Sequence, residues 1–341
     1  MGDKMSTIKD VAKLSGVSPS TVSIVLNGNS AKRNISEKTQ KKVMDAVKKL
    51  NYHPNIAARK LRSKDSRSKP TIALYWSSDI SVNIMSRFLR GLYSELTKSD
   101  NDYNVVICPY KTNCLHLEKG IQSENSFDAA IIANVSNCDL EYLNNTSLNL
   151  PIILFNRLSK KYSSVNVNNY NMGKIAADLF NKNGHKKVGA ILTKSLNLSM
   201  ANRNKGFIET CKNYGIELSE DYIIGSDNSI KGGAYAAKEF LKLKNTPKAL
   251  FCNSDSIALG VINVLNKEKI NVPDDIELIA IGMTDNDYTE FSNPSITIVD
   301  IPIEKMAEGS IKLISDLLNG KIYNPTSLTF DAPLIIRESC K

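Results

Sequence analysis

The sequence predicts a small all-α module followed by a larger α/β body of two doubly wound subdomains, and three observations carry that prediction. Positive charge collects at the N-terminus: residues 1–69 hold sixteen Lys and Arg against five Asp and Glu, a net of +11, whereas residues 70–341 sum to −2. Within the basic segment, apolar residues recur at helical spacing in short runs bounded by caps. Beyond residue 70, short β-rich runs alternate with amphipathic helical runs, the signature of a mainly parallel sheet.

The first helix starts at Thr7, an N-cap with an acid, Asp10, three residues later. Ile8, Val11, Ala12 and Leu14 make its apolar face, and Ser15-Gly16 ends it. The second helix has Ser18 at the N-cap, Pro19 at the first helical position and Gly28 just past the end. Val22, Val25 and Leu26 face inward, which leaves Pro19, Ser20, Ser23, Ile24 and Asn27 outside. A third helix from Ser36 supplies Val43, Val47 and Leu50 to close a small core. Two short helices joined by a Gly-containing turn form a helix-turn-helix, whose second helix lays its N-terminal residues against base edges in the major groove. The local charge fits a phosphate-binding module, because counterion release supplies the sequence-independent part of affinity for DNA.

Residues 63–70 are a polar linker into a strand at Thr71–Trp76. Further strands are expected near 104–108, 129–134, 151–155, 187–192, 248–252 and 276–282, with helices near 84–98, 171–183, 202–214, 233–243 and 255–267. That many elements exceed one sheet, so two similar subdomains with a ligand cleft between them are expected. Ligands in open α/β sheets sit beyond the carboxyl ends of strands. The candidates there are Ser77, Ser78 and Asp79, then Asn156 and Arg157, then Arg203, then Ser254 and Asp255, then Thr284 and Asp285. Carboxylates, amides and guanidinium groups around an aromatic suit a hydroxyl-rich ligand, and Trp76, the only tryptophan, is the candidate aromatic. Asp255 serves equally as a helix cap, and Trp76 equally as core.

Several classes are excluded. No apolar run approaches the roughly 18 residues of a membrane span, and Met1–Thr7 has no apolar stretch behind its charges, so a cytoplasmic protein is expected. The six cysteines and three histidines show no zinc-ligand spacing, which predicts reduced thiols, no metal and no cofactor. No GxSxG, HExxH, GxxxxGK[ST] or CxxC string occurs, so no enzyme is expected.

The run from Thr7 to Ser23, continued by Leu26-Asn27-Gly28 and by Leu50-Asn51-Tyr52-His53-Pro54-Asn55, resembles the N-terminal signature of the lac-repressor/gal-repressor family of transcription regulators. The resemblance continues through Gly184–Val188, Arg203 with Gly206-Phe207, Asp255 with Ala258-Leu259-Gly260, and Val272–Ile276. It implies a DNA-binding domain over 6–62 and a periplasmic-binding-protein-like body over 70–341 that binds an effector and dimerises. The groove contacts it implies are Thr7, Ser18, Pro19, Ser20, Thr21, Ser23, Ile24 and Asn27. It also implies a hinge helix over 55–62, in which Asn55, Arg59, Leu61 and Arg62 meet the minor groove and Leu61 acts as the wedge. A helix of eight residues is too short to persist alone in water, so it orders when two copies meet DNA. The expected protein is a homodimeric repressor of carbohydrate-utilisation genes on a pseudo-palindromic operator, controlled by a small sugar or sugar phosphate. The alternative is a global catabolite regulator answering to a phosphoprotein, docked on the helix of Arg87, Phe88 and Arg90. Three departures stand out: Ile24 replaces the family's usual Arg, and Ser254 and Thr284 replace the usual Asn and Asp. An enlarged loop, Asn29–Asn34, also precedes the third helix.

Overall fold

The computed structural model describes residues 7–26, 30, 33–50, 69–78, 82–98, 102–122, 126–193 and 198–341. The N-terminal module holds α1 (Ile8–Ser15), α2 (Pro19–Leu26) and α3 (Glu37–Lys49). Thr7 and Asp10 form a reciprocal capping box on α1, and Gly16 ends it in the left-handed region at φ 69°, donating its N–H to the Ala12 carbonyl. Glycine meets no Cβ penalty there, so the turn to α2 is cheap. Val11, Ala12, Val22, Val25, Val43 and Ala46 are the buried centre of the module. Leu14 departs from expectation, standing 45% exposed while Ser15 takes the buried position. It lies roughly a hundred degrees round the helix from the centre of the stripe that Ile8, Val11, Ala12 and Ser15 define.

The body contains two six-stranded sheets. The first runs β2 (Asn104–Tyr110), β1 (Thr71–Ser77), β3 (Ala129–Ala133), β4 (Ile152–Phe155), β5 (Ser163–Val167) and β11 (Ser327–Phe330), all parallel. The second runs β7 (Ile223–Ser226), β6 (Gly189–Thr193), β8 (Ala249–Cys252), β9 (Glu277–Gly282), β10 (Thr297–Asp300) and β12 (Leu334–Ile335), parallel except for β12. The helices of the body are α4 (Val82–Lys98), α5 (Lys119–Gln122), α6 (Asn137–Asn145), α7 (Asn169–Lys182), α8 (Leu198–Asn213), α9 (Ile230–Leu241), α10 (Asp255–Lys267), α11 (Asn286–Glu290) and α12 (Ile303–Leu318). Central strands such as β3 and β4 are apolar and buried throughout, as strands covered on both faces must be.

The chain passes from one sheet to the other after β5, after β10 and after β11, so the subdomains interleave. α7 follows a strand of the first sheet but packs on the second with α8, and α12 returns to pair with α4 on the first. β5, β7, β10, β11, β12, α5, α6, α11 and α12 were not anticipated from the sequence. β5 is the instructive case: Ser163, Ser164 and Asn166 make it look like a loop, yet all three are buried. The hydroxyls and amide are satisfied laterally, Ser164 to the Ser327 hydroxyl at 3.1 Å and Asn166 to the same hydroxyl at 3.2 Å.

Candidate functional site

α2 carries the residues expected to read DNA. Ser18 caps it, accepting the Thr21 N–H at 3.0 Å and sharing a hydrogen bond with the Thr21 hydroxyl at 2.9 Å. Ser18, Pro19 and Ser20 are exposed, while Thr21, Ser23 and Ile24 are half-buried around the module's core. The first turn of α2 therefore stands clear, with small side chains over helix-start amides that suit phosphate and base edges. Thr7 is exposed at the start of α1, its hydroxyl donating to the Asp10 carboxylate at 2.7 Å. Asn27, the hinge residues Asn55, Arg59, Leu61 and Arg62, and the cleft candidate Asp79 lie outside the described residues.

Between the sheets, where the effector cleft is expected, runs a line of amides and one guanidinium. Asn134 and Asn156 follow β3 and β4 with φ of 48° and 59°, a left-handed geometry that Asn tolerates better than most residues. The Asn156 amide donates to the Asn134 side-chain oxygen at 3.2 Å and to the Ser199 hydroxyl at 3.0 Å. Its own oxygen accepts from Asn169 at 3.0 Å, and the Asn169 oxygen accepts the Arg203 Nε–H at 2.9 Å. Asn156 belongs to the first sheet, Asn169, Ser199 and Arg203 to the helices on the second, so the line bridges the two subdomains. Arg203 is buried, with its Nη1 on the Met283 sulfur at 3.6 Å, and burial pulls its pKa down to about 10 against the opposing pull of the Asp255 charge. It stays charged at neutral pH.

Two close helix contacts fix this line. A Cβ on Gly173 of α7 would lie 1.9 Å from the Arg203 carbonyl oxygen, and one on Gly206 of α8 would lie 2.0 Å from that of Tyr170. The glycines thus let α7 and α8 touch backbone to backbone, which sets where Asn169 and Arg203 meet.

The other candidates have visible structural work. Asp255 accepts from the backbone of Met283 at 2.8 Å and of Thr284 at 2.7 Å, from the Thr284 hydroxyl at 2.7 Å, and from the Ser256 N–H at 2.8 Å. It pins the turn after β9, and burial pushes its carboxyl up despite those bonds. Ser254 caps α10 through the Ile257 N–H at 3.3 Å. Asp285 caps α11 and pairs with Arg90. Ser77 is buried against the Thr112 hydroxyl, and Ser78 is exposed with its N–H on the Tyr110 carbonyl at 2.9 Å. Trp76 is buried against Phe88, ring centres 5.5 Å apart, and among the described residues its indole N–H has no partner. Arg157 is half-buried, donates to the Asn137 amide oxygen, and is pulled down by burial. Asn134, Asn169 and Ser199 were not singled out from the sequence; an Asn immediately after a strand is the signal that marks the first.

Of the three α4 residues named for a docked partner, Arg87 and Phe88 are buried and only Arg90 is exposed. The Arg87 guanidinium donates to Asp300 at 3.0 Å and 3.2 Å, to Glu304 at 2.9 Å and 2.8 Å, and to the Thr284 carbonyl at 3.2 Å. Arg87 itself is a cross-subdomain clamp.

A capped helix-turn-helix followed by a two-sheet α/β body defines a DNA-binding transcription regulator. Comparison with known families and proteins agrees. The model for bacterial regulatory proteins of the lacI family matches residues 7–55, and that for the periplasmic binding protein-like domain matches residues 177–340. The transcriptional regulator RegA of Clostridium saccharobutylicum is 30% identical over 98% of this chain and 99% of its own length. The repressor PurR of Photobacterium profundum is 26% identical over 99% of both. A crystal structure of a LacI family transcription regulator from Clostridium acetobutylicum is 71% identical with a TM-score of 0.77, covering 79% of this chain and all of that one. The chain belongs to the lacI family of bacterial regulatory proteins. It is a DNA-binding transcription regulator, not an enzyme.

Proposed function

We propose that the protein is a homodimeric repressor that binds a pseudo-palindromic operator through α2 and the hinge at 55–62, and that a sugar-class effector in the cleft controls it from the cytoplasm. The observation that carries this reading is the hydrogen-bonded line from Asn156 through Asn169 to Arg203. A ligand that engages these groups bears on both subdomains at once, and a ligand shifts a conformational equilibrium only through unequal affinity for its two states. The named repressor PurR among the relatives supports the direction of control. One helix-turn-helix covers only a half-site, which makes two copies necessary.

The experiment is a mobility shift of the full chain on DNA upstream of its own gene, with and without sugars and sugar phosphates. A retarded band that requires both half-sites and moves with one of these compounds supports the reading. Equal binding to a single half-site, or indifference to every compound, contradicts it.

A further inference from the structure

α2 runs Pro-Ser-Thr-Val-Ser-Ile-Val-Leu from Pro19 to Leu26, with no acid, base or amide among its side chains. The cations of the module stand on its neighbours: Lys9 and Lys13 are exposed on α1, and Lys38, Lys41 and Lys42 on α3. Cations suit phosphates, which fix the register of a protein on DNA but carry no sequence information. α2 therefore has only hydroxyls and alkyl groups with which to tell one base from another.

One of those alkyl groups is left out of the core. Val22 and Val25 lie in the buried centre of the module, and Leu26 packs against it. Ile24 is half-buried and, among the described residues, belongs to neither set. It follows the exposed Ser20 by four residues, one turn further along the same face of the helix.

In the major groove guanine is matched by Arg or Lys, adenine by Asn or Gln, and the cytosine amino group by an acid. α2 holds none of these. A serine hydroxyl donates or accepts, and so admits several bases. The C5 methyl of thymine is the one apolar group among those edges, and a branched alkyl side chain is its complement.

We propose that Ile24 selects a thymine in each half-site by covering its C5 methyl, so that α2 specifies the operator through an apolar contact. This rests on α2 lying in the major groove and says what it selects there. The contact takes apolar area of both partners out of water, whereas any other base edge at that place sets a polar group against Ile24 or leaves the methyl contact unmade.

The test starts with selection from a duplex library of random sequence by the full chain, run in parallel with Ile24→Ala, whose folding is checked by its melting transition. Wild type enriches paired half-sites, and the position at which Ile24→Ala loses its preference is an A·T pair. The enriched duplex is then remade with deoxyuridine for that thymidine, which removes the methyl and leaves the base pairing intact. Wild-type affinity falls about fourfold for one half-site and about fifteenfold for both, the scale of one methyl group leaving water per site. Ile24→Ala binds the two duplexes alike. If Ile24→Ala fails to fold, Ile24→Thr, which stays branched and keeps one methyl, takes its place, with uridine set at each conserved thymidine in turn. A G·C pair at the position that the variant relaxes overturns the proposal while leaving α2 in the groove. A half-site without a conserved thymine, or uridine tolerated at every one, overturns it in the same way. Enrichment of no paired half-site contradicts the operator reading itself and the proposal with it.

Discussion

Asn169 accepts the Arg203 Nε–H on its side-chain oxygen at 2.9 Å while its amide donates to Asn156 at 3.0 Å, so one side chain at the crossover between subdomains ties the buried cation of one to the strand end of the other. Asn169→Ala should therefore loosen the coupling between cleft and DNA more than it weakens effector binding. Titrating effector against DNA-bound and free protein measures that coupling, typically about 1–3 kcal/mol in such systems.

The Arg87 clamp should behave as a buried ion-pair network. Arg87→Met leaves Asp300, whose carboxyl burial already pushes up, without its cation. A loss of about 3–5 kcal/mol in urea unfolding is expected, because the charges left behind are uncompensated. A loss below about 1 kcal/mol would mean that water reaches the site.

Acid should reveal the Arg90–Asp285 pair. The hydrogen bond from Arg90 holds the Asp285 carboxyl below its ordinary value of 3.8. A depressed acid adds stability that is present above the unfolded value and lost as pH falls through the folded one. The melting-temperature gap between wild type and Arg90→Gln should thus be present near neutrality and close below about pH 4, and it should be small, since exposed pairs contribute at most about 1 kcal/mol.

Gly173→Ala places a methyl 1.9 Å from the Arg203 carbonyl oxygen. The helices must separate, so stability should fall by about 1–3 kcal/mol, and effector affinity should fall with it. Denaturant melts and titration together check this; a stable variant with normal affinity would show that α7 and α8 can slide.

How much of this was legible in the sequence depends on whether a residue's role is local. The capping box at Thr7 and the α2 cap at Ser18 were readable because cap and partner are three residues apart. β5 was not, since its serines and asparagine are satisfied by Ser327, some 160 residues away along the chain. Asp255, Thr284 and Asp285 were read as ligand groups, and nothing in their spacing shows that Asp255 spends its oxygens on Met283 and Thr284 or that Arg90 occupies Asp285. α12 carries a plain helical period in Ile303, Met306, Ala307, Ile311 and Ile314, a local signal that the expected helices do not include.

Ser18 separates folding from recognition. Ser18→Ala removes the α2 cap and should cost about 1 kcal/mol, whereas Ser18→Asp keeps a capping acceptor and sets a negative charge against DNA. Melting should be restored by Asp and operator binding should not; recovery of both would place residue 18 away from the phosphates.

The most direct measurement is operator affinity of wild type and Arg203→Ala by fluorescence anisotropy, each with and without the compound that shifts the wild type. Arg203 is buried among the body's helices, and its hydrogen bonds among the described residues go to Asn169 and Met283 of the body. The two proteins should bind DNA alike without effector, and only the wild type should respond to it. A variant that keeps both the normal effector affinity and the normal shift in DNA binding would contradict the account and send the search to Arg157 and Asp285.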